Sequence, residues 1–153
     1  MRKHLATPVA SLVVAGLCAA LVAMALRVAW DPPARTYFEY VPIGTVLGAL
    51  IWDRIVPRWS GNLLATAYDV LAVGLAAMRA VIPPLPFVSG HTLLAGYALL
   101  TAYRWPLRVV ALVAFAEIIY TKLFSSLGIL SFLGGLAVAW LLAEGWRRAI
   151  TPE

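Results

Sequence analysis

The chain has 153 residues, of which 63% are hydrophobic and 12% are charged, and its formal net charge is +5. A soluble domain contains about half apolar and about a quarter charged residues, so this composition excludes an ordinary soluble domain. The twelve Lys and Arg residues are scattered between apolar runs, which predicts no nucleic-acid binding. The length predicts a single transmembrane domain over residues 1–153.

Six apolar runs predict an all-α, polytopic transmembrane bundle. They cover residues 8–26, 43–56, 63–81, 91–103, 107–124 and 127–143, and the second and fourth are short for a span of about 20 residues. No run has the alternation of a β-barrel strand, and a bilayer interior requires backbone groups to be paired within each segment. The first run is also compatible with a cleaved signal peptide, but its length favours a retained helix.

The basic residues predict the orientation of these helices, because Lys and Arg in short loops stay on the cytoplasmic side. With six spans and a cytoplasmic start, the inner side holds eight of them: Arg2, Lys3, Arg54, Arg58, Arg104, Arg108, Arg147 and Arg148. The outer side holds four: Arg27, Arg35, Arg79 and Lys122. Both termini are therefore predicted to be cytoplasmic, in a bacterial or archaeal plasma membrane. Asp53-Arg54 and residues 104–108 are interpreted as solvated cytoplasmic faces.

Five ionisable residues fall at membrane depth, where a charge is costly and needs an explanation. Arg79, His91 and Lys122 lie at the outer ends of the third, fourth and fifth predicted helices, so a compact bundle brings them together in an outward-facing cationic pocket. Asp69 and Glu117 lie deeper in the third and fifth helices. They are predicted to pair with cations or with Tyr68 and Tyr120 in a structural role, and the alternative is a proton or ion path.

Ser89-Gly90-His91 immediately precedes the fourth apolar run. At a helix N-terminus these residues offer a hydroxyl, backbone N–H groups and an imidazole to one anion, and phosphate is the natural ligand. The alternative is that Ser89 only caps the helix, Gly90 relaxes the turn and His91 forms a hydrogen bond at the membrane interface.

The order of motifs after residue 69 resembles the membrane-bound type 2 phosphatidic acid phosphatases, the lipid phosphate phosphatase family. Over about residues 69–143, Val88-Ser89-Gly90-His91 is similar to the family's Pro-Ser-Gly-His, and Thr121-Lys122 to the Ser-Arg that opens its third motif. Gly128 and Phe132 stand where that third motif has His and Asp. Arg79 replaces the Lys of the first motif, whose Arg-Pro is absent.

The resemblance implies six helices, an outward-facing site and a phosphate-binding set made of Arg79, Ser89, Gly90, His91 and Lys122. In the family, the third-motif His attacks phosphorus and the second-motif His protonates the leaving alcohol. This chain has two histidines, and His4 is predicted at the opposite end, so the phosphohistidine route is missing. The expectation is a pseudoenzyme that binds a phosphorylated membrane lipid, phosphatidic acid or polyprenyl phosphate, without cleaving it.

Three other functions are weighed against this one. The first alternative is a structural or assembly subunit of a larger membrane complex. The second is an active lipid phosphate phosphatase with His91 as a catalytic residue, and the third is a transporter with Asp69 and Glu117 as proton relays. The single Cys18 has no partner for a disulfide or a metal site, and no cofactor or metal is expected. Gly44, Gly48 and Gly134-Gly135 predict close helix packing, with a homo-oligomer through the second helix as the alternative.

Overall fold

The computed structural model describes residues 8–29, 34–55, 61–81, 87–122 and 126–151. These residues form six helices and no strand, so the all-α prediction is confirmed for the described part of the chain. The helices are α1 Pro8–Ala29, α2 Ala34–Leu50, α3 Leu63–Val81, α4 Gly90–Thr101, α5 Trp105–Lys122 and α6 Ser126–Ile150, and α2 continues into a π-helical turn, Ile51–Ile55.

Two helices extend beyond the apolar runs that predicted them. Helix α2 begins at Ala34 rather than at residue 43, and it contains Pro42. Its first turns are polar and aromatic, so hydropathy does not detect them. Helix α6 continues to Ile150 rather than ending at residue 143, and in this polar extension Glu144 pairs with Arg147 and Arg148 one turn further along.

Helix α4 is the centre of the bundle. It packs against α2, α3, α5 and α6, whereas α1 packs mainly on α2. Nine of its twelve residues are buried, and small residues such as Ala95, Gly96 and Ala98 let neighbouring helices approach closely. A Cβ on Gly96 would lie 3.3 Å from the Cβ of Ala139 on α6.

The Gly44 and Gly48 face of α2 is covered by α1. A Cβ on Gly44 would lie 2.7 Å from Cγ2 of Val22, and one on Gly48 would lie 2.9 Å from Cβ of Cys18. The prediction that these glycines serve packing within the bundle is confirmed. Because α1 occupies this face, it is not open for the alternative use in homodimer formation.

The helices alternate in direction, which gives the bundle two distinct ends. At one end, Ser11 near the start of α1 donates a hydrogen bond to Asp53, and Asn62 before α3 donates to the carbonyl of Ala149 near the end of α6. At the other end, the Ser89 amide before α4 donates to the Ser131 carbonyl of α6 at 2.9 Å. We call these the Asp53 end and the His91 end.

Two of the described helices are long and apolar enough to cross a membrane, judged by length and composition. They are Val9–Ala29 and Gly128–Ile150, with mean hydropathies of 2.6 and 1.6. A shorter apolar helix covers Leu63–Met78.

Candidate functional site

An open recess lies at the His91 end, between α2, α4 and α5, and has a volume of about 350 Å³ when the solvent in its mouth is included. His91 of α4 and Lys122 of α5 both line it, together with Glu117. The rest of its lining is Pro42, Ala114, Ile118 and Thr121. Two of the three basic residues predicted to form a pocket are therefore brought into one lining by different helices.

The position of His91 follows from the way that α4 begins. Ser89 has an extended backbone, and its hydroxyl accepts a hydrogen bond from the Thr92 amide at 3.3 Å, so the alternative interpretation of Ser89 as the N-cap is confirmed. His91 thus lies in the first turn of α4, where the helix dipole favours an anion. The ring of Tyr40 on α2 packs edge-on against the imidazole, with 5.0 Å between ring centroids.

Ser89 and Gly90 do not share this lining. The Ser89 side chain is buried and used as the cap, and Gly90 lines a second recess between α2, α3 and α4. That second recess is apolar apart from His91 and Tyr40 and has a volume of about 550 Å³ when the solvent in its mouth is included. Since His91 borders both recesses, a polar compartment and an apolar one meet at the imidazole.

Lys122 is the last residue of α5 and Glu117 lies five residues before it. In an α-helix this spacing is a rise of about 7.5 Å and a rotation of roughly 140°. The sequence predicts that Glu117 lies deeper than the pocket, which is wrong, because the recess extends along α5 far enough to include Glu117 in its lining. Thr121 donates its hydroxyl to the Ile118 carbonyl at 3.0 Å within the same helix.

Gly128 and Phe132 stand at the positions where the lipid phosphate phosphatases have a nucleophilic His and the Asp that orients it. Neither residue has a side chain that could take these roles. Gly128 is buried near the start of α6. Phe132 lines a small apolar recess between α5 and α6 together with Ile119, Lys122 and Ile129. Lys122 therefore borders a polar recess on one side and an apolar one on the other.

Several predicted residues lie outside the described part of the structure. The side chains of Arg79 and Arg35 are among them, and so are all of His4 and Pro86. Within the described ranges, no group of three or more His, Cys, Asp or Glu side chains is arranged to hold a metal ion.

Asp69 belongs to a separate cluster near the Asp53 end. Its carboxylate forms an ion pair with Arg54, and both side chains have 0% exposure. The Tyr97 hydroxyl donates to Asp69 at 2.7 Å, and Arg54 also donates to the Thr101 hydroxyl. The guanidinium carbon lies 4.0 Å from the ring centroid of Trp146. The prediction that Asp69 pairs with a cation in the interior is confirmed by this contact.

The interpretation of Asp53-Arg54 as a solvated face is wrong, because both residues are fully buried. They lie in the π-helical turn that ends α2, and its wider winding turns both side chains into the bundle. The sequence did contain a signal for the ion pair between Arg54 and Asp69. Asp69 stands alone in an apolar helix, which requires a cation nearby, and Arg54 lies on the preceding helix close to the same connection.

Comparison with protein-family models, with curated proteins and with solved structures finds no match to this chain. The resemblance to the type 2 phosphatidic acid phosphatases stays a prediction from the motif residues.

Proposed function

We propose that the chain is an integral membrane protein whose six helices cross a bilayer, with both termini in the cytoplasm. The large exposed side chains of α1, α3, α5 and α6 are overwhelmingly apolar, whereas Asp53, Arg54 and Asp69 are fully buried. In water this distribution leaves an extended apolar surface, and in lipid it is favourable. Helix α4 is about 18 Å long, short for a hydrocarbon core of about 30 Å, but its neighbours surround it and shield its backbone from lipid.

Within this bundle we propose that the polar recess binds the phosphorylated head group of a membrane lipid. The observation that carries the proposal is that His91 and Lys122, from two different helices, line one recess beside the start of α4. An ammonium, an imidazole and a helix N-terminus are all complementary to a phosphate. The apolar recess that shares His91 gives the hydrocarbon part of such a ligand a place next to its head group.

We propose binding rather than hydrolysis. Gly128 and Phe132 offer neither a nucleophile nor a group to orient one, and the Phe132 surroundings are apolar. The chain then resembles a degenerate member of the lipid phosphate phosphatase family, which has lost the third-motif His and Asp but retains Ser89-Gly90-His91 and Lys122. The family assignment rests on the order of those motifs along the chain.

The test compares lipids with the same acyl chains, phosphatidic acid and diacylglycerol, on purified protein in nanodiscs. Wild type is expected to select phosphatidic acid, and His91→Ala and Lys122→Ala are each expected to weaken that binding by about tenfold, since a charged hydrogen bond contributes roughly 1.5–3 kcal/mol. Arg27→Ala is the matched control, because Arg27 is an exposed cation at the same end and lies outside the recess. Equal binding of the two lipids would overturn the proposal.

The same samples separate binding from catalysis. The proposal expects no phosphate release from phosphatidic acid or from a polyprenyl phosphate. Release that disappears in His91→Ala would instead favour an active lipid phosphate phosphatase with a modified mechanism.

A further inference from the structure

Glu117 is the feature of the recess that a simple phosphate site does not explain. Its carboxylate shares the lining with His91 and Lys122, so a bound phosphate monoester would have a second anion close to it. Like charges at such short range repel each other, and the repulsion grows as the surroundings become less polar. A recess that selects a bare phosphate has no use for a carboxylate in this position.

Lys122 does not neutralise Glu117. Among the residues that the structure describes, the ion pairs are Arg54 with Asp69 and Glu144 with Arg147 and Arg148. The two residues are offset along α5 by about 7.5 Å and roughly 140°, and no ion pair joins their side chains in the described part of the structure. The recess therefore presents two separated charges of opposite sign, with His91 across from them on α4.

We infer that the ligand is zwitterionic and carries an amine joined by a short link to its phosphate, as in an ethanolamine phosphate head group. The inference rests on the proposed function and adds the substrate class to it. The phosphate lies beside Lys122 and His91, and the ammonium lies beside Glu117. Each ligand charge then meets an opposite charge, and a ligand without the amine leaves the carboxylate unpaired against its phosphate.

The experiment uses the full-length protein in nanodiscs and measures the affinity of short-chain phosphatidylethanolamine, phosphatidylglycerol and phosphatidic acid with identical acyl chains. Phosphatidylethanolamine is expected to bind about tenfold more tightly than phosphatidylglycerol, which has a similar size and no amine. Glu117→Gln, which preserves shape, is expected to remove this preference and to raise the affinity for phosphatidic acid. Glu144→Gln is the control, because Glu144 is a surface carboxylate at the Asp53 end, and the preference should survive there.

The outcomes separate this inference from the proposal beneath it. The inference of a zwitterionic ligand is overturned if wild type prefers phosphatidylglycerol or phosphatidic acid. It is also overturned if the preference for phosphatidylethanolamine survives Glu117→Gln. If His91→Ala and Lys122→Ala still weaken phosphatidic acid binding, the proposed function stands without it. Binding of all phospholipids no tighter than diacylglycerol overturns both. Soluble ethanolamine phosphate that competes as well as the lipid identifies a free aminophosphate as the ligand instead of a lipid head group.

Discussion

Arg54 and Asp69 place an ion pair in a region with no exposed side-chain surface. Removing each charge from water costs several kcal/mol, so such a pair is tolerated only where other groups complete its hydrogen bonds. Tyr97 and Thr101 of α4 supply part of these hydrogen bonds, and the Trp146 ring lies against the guanidinium. The cluster joins α2, α3, α4 and α6 and makes their relative positions depend on both charges together.

We therefore expect Asp69→Ala to lower the free energy of unfolding by about 3–5 kcal/mol, because it leaves the Arg54 charge buried without its partner. The double variant Arg54→Leu with Asp69→Leu should be less destabilised than the sum of the single changes. The measurement is a denaturant titration in detergent followed by tryptophan fluorescence. Glu144→Ala is the control, because its pairs are partly exposed and such pairs contribute about 0–1 kcal/mol. Strict additivity of the two single changes would contradict the coupling.

The sequence predicts the positions of His91 and Lys122 correctly but not those of Arg54 and Glu117, because depth along a helix and side-chain direction are determined differently. Depth along a helix follows from counting residues, and it assigned His91 and Lys122 to the same end. The direction in which a side chain points depends on the rotation of each helix and on local winding. The π-helical turn that contains Arg54 changes both the rotation of the helix and its local winding, and sequence composition does not predict such a turn. Glu117 was misjudged because a recess that extends along α5 includes residues at different depths.

None of the described side chains of α6 lines the polar recess, yet this helix packs against the turn from which His91 extends. A Cβ on Gly134 would lie 1.9 Å from the Phe87 carbonyl oxygen, and one on Gly135 would lie 2.6 Å from that of Ser89. Both contacts are with backbone, which cannot move aside as a flexible side chain does. The prediction that Gly134-Gly135 permits close helix approach is confirmed, and the approach is to the N-terminus of α4.

Gly134→Ala is therefore expected to push α6 away from the 87–89 turn, lowering both the melting temperature and the affinity for phosphatidic acid. Overpacking of this kind typically costs about 1–3 kcal/mol. Gly16→Ala on α1 and Gly74→Ala on α3 are matched controls, because a Cβ at either position has no atom within 4 Å. Alanine favours an exposed helix over glycine by about 1 kcal/mol, so both controls should melt no lower than wild type. A Gly134→Ala protein with unchanged melting and binding would show that the turn does not depend on this packing.

In the part of the chain that the structure describes, the large exposed side chains are mostly apolar, and the apolar core contains three buried charged residues, Asp53, Arg54 and Asp69. An even number of alternating helices puts the start of α1 and the end of α6 at the Asp53 end, and the recess at the other. Because Arg54 is buried, seven basic residues remain on the side predicted to be inner, against four on the side predicted to be outer. This charge bias supports the proposal that the Asp53 end is cytoplasmic.

Two exposed aromatic positions distinguish six membrane crossings from two. Phe87 precedes α4 at the His91 end, and Trp105 begins α5 at the Asp53 end, with exposures of 59% and 56%. In a Cys18→Ala background, a membrane-impermeant maleimide applied to intact cells should label Phe87→Cys, and it should label Trp105→Cys only after permeabilisation. If α1 and α6 alone crossed the bilayer, the intervening segments would share one side and both cysteines would label together. The opposite pattern, with Trp105→Cys labelled first, would retain six crossings but turn the recess toward the cytoplasm, because the two positions report opposite ends of the same central helix.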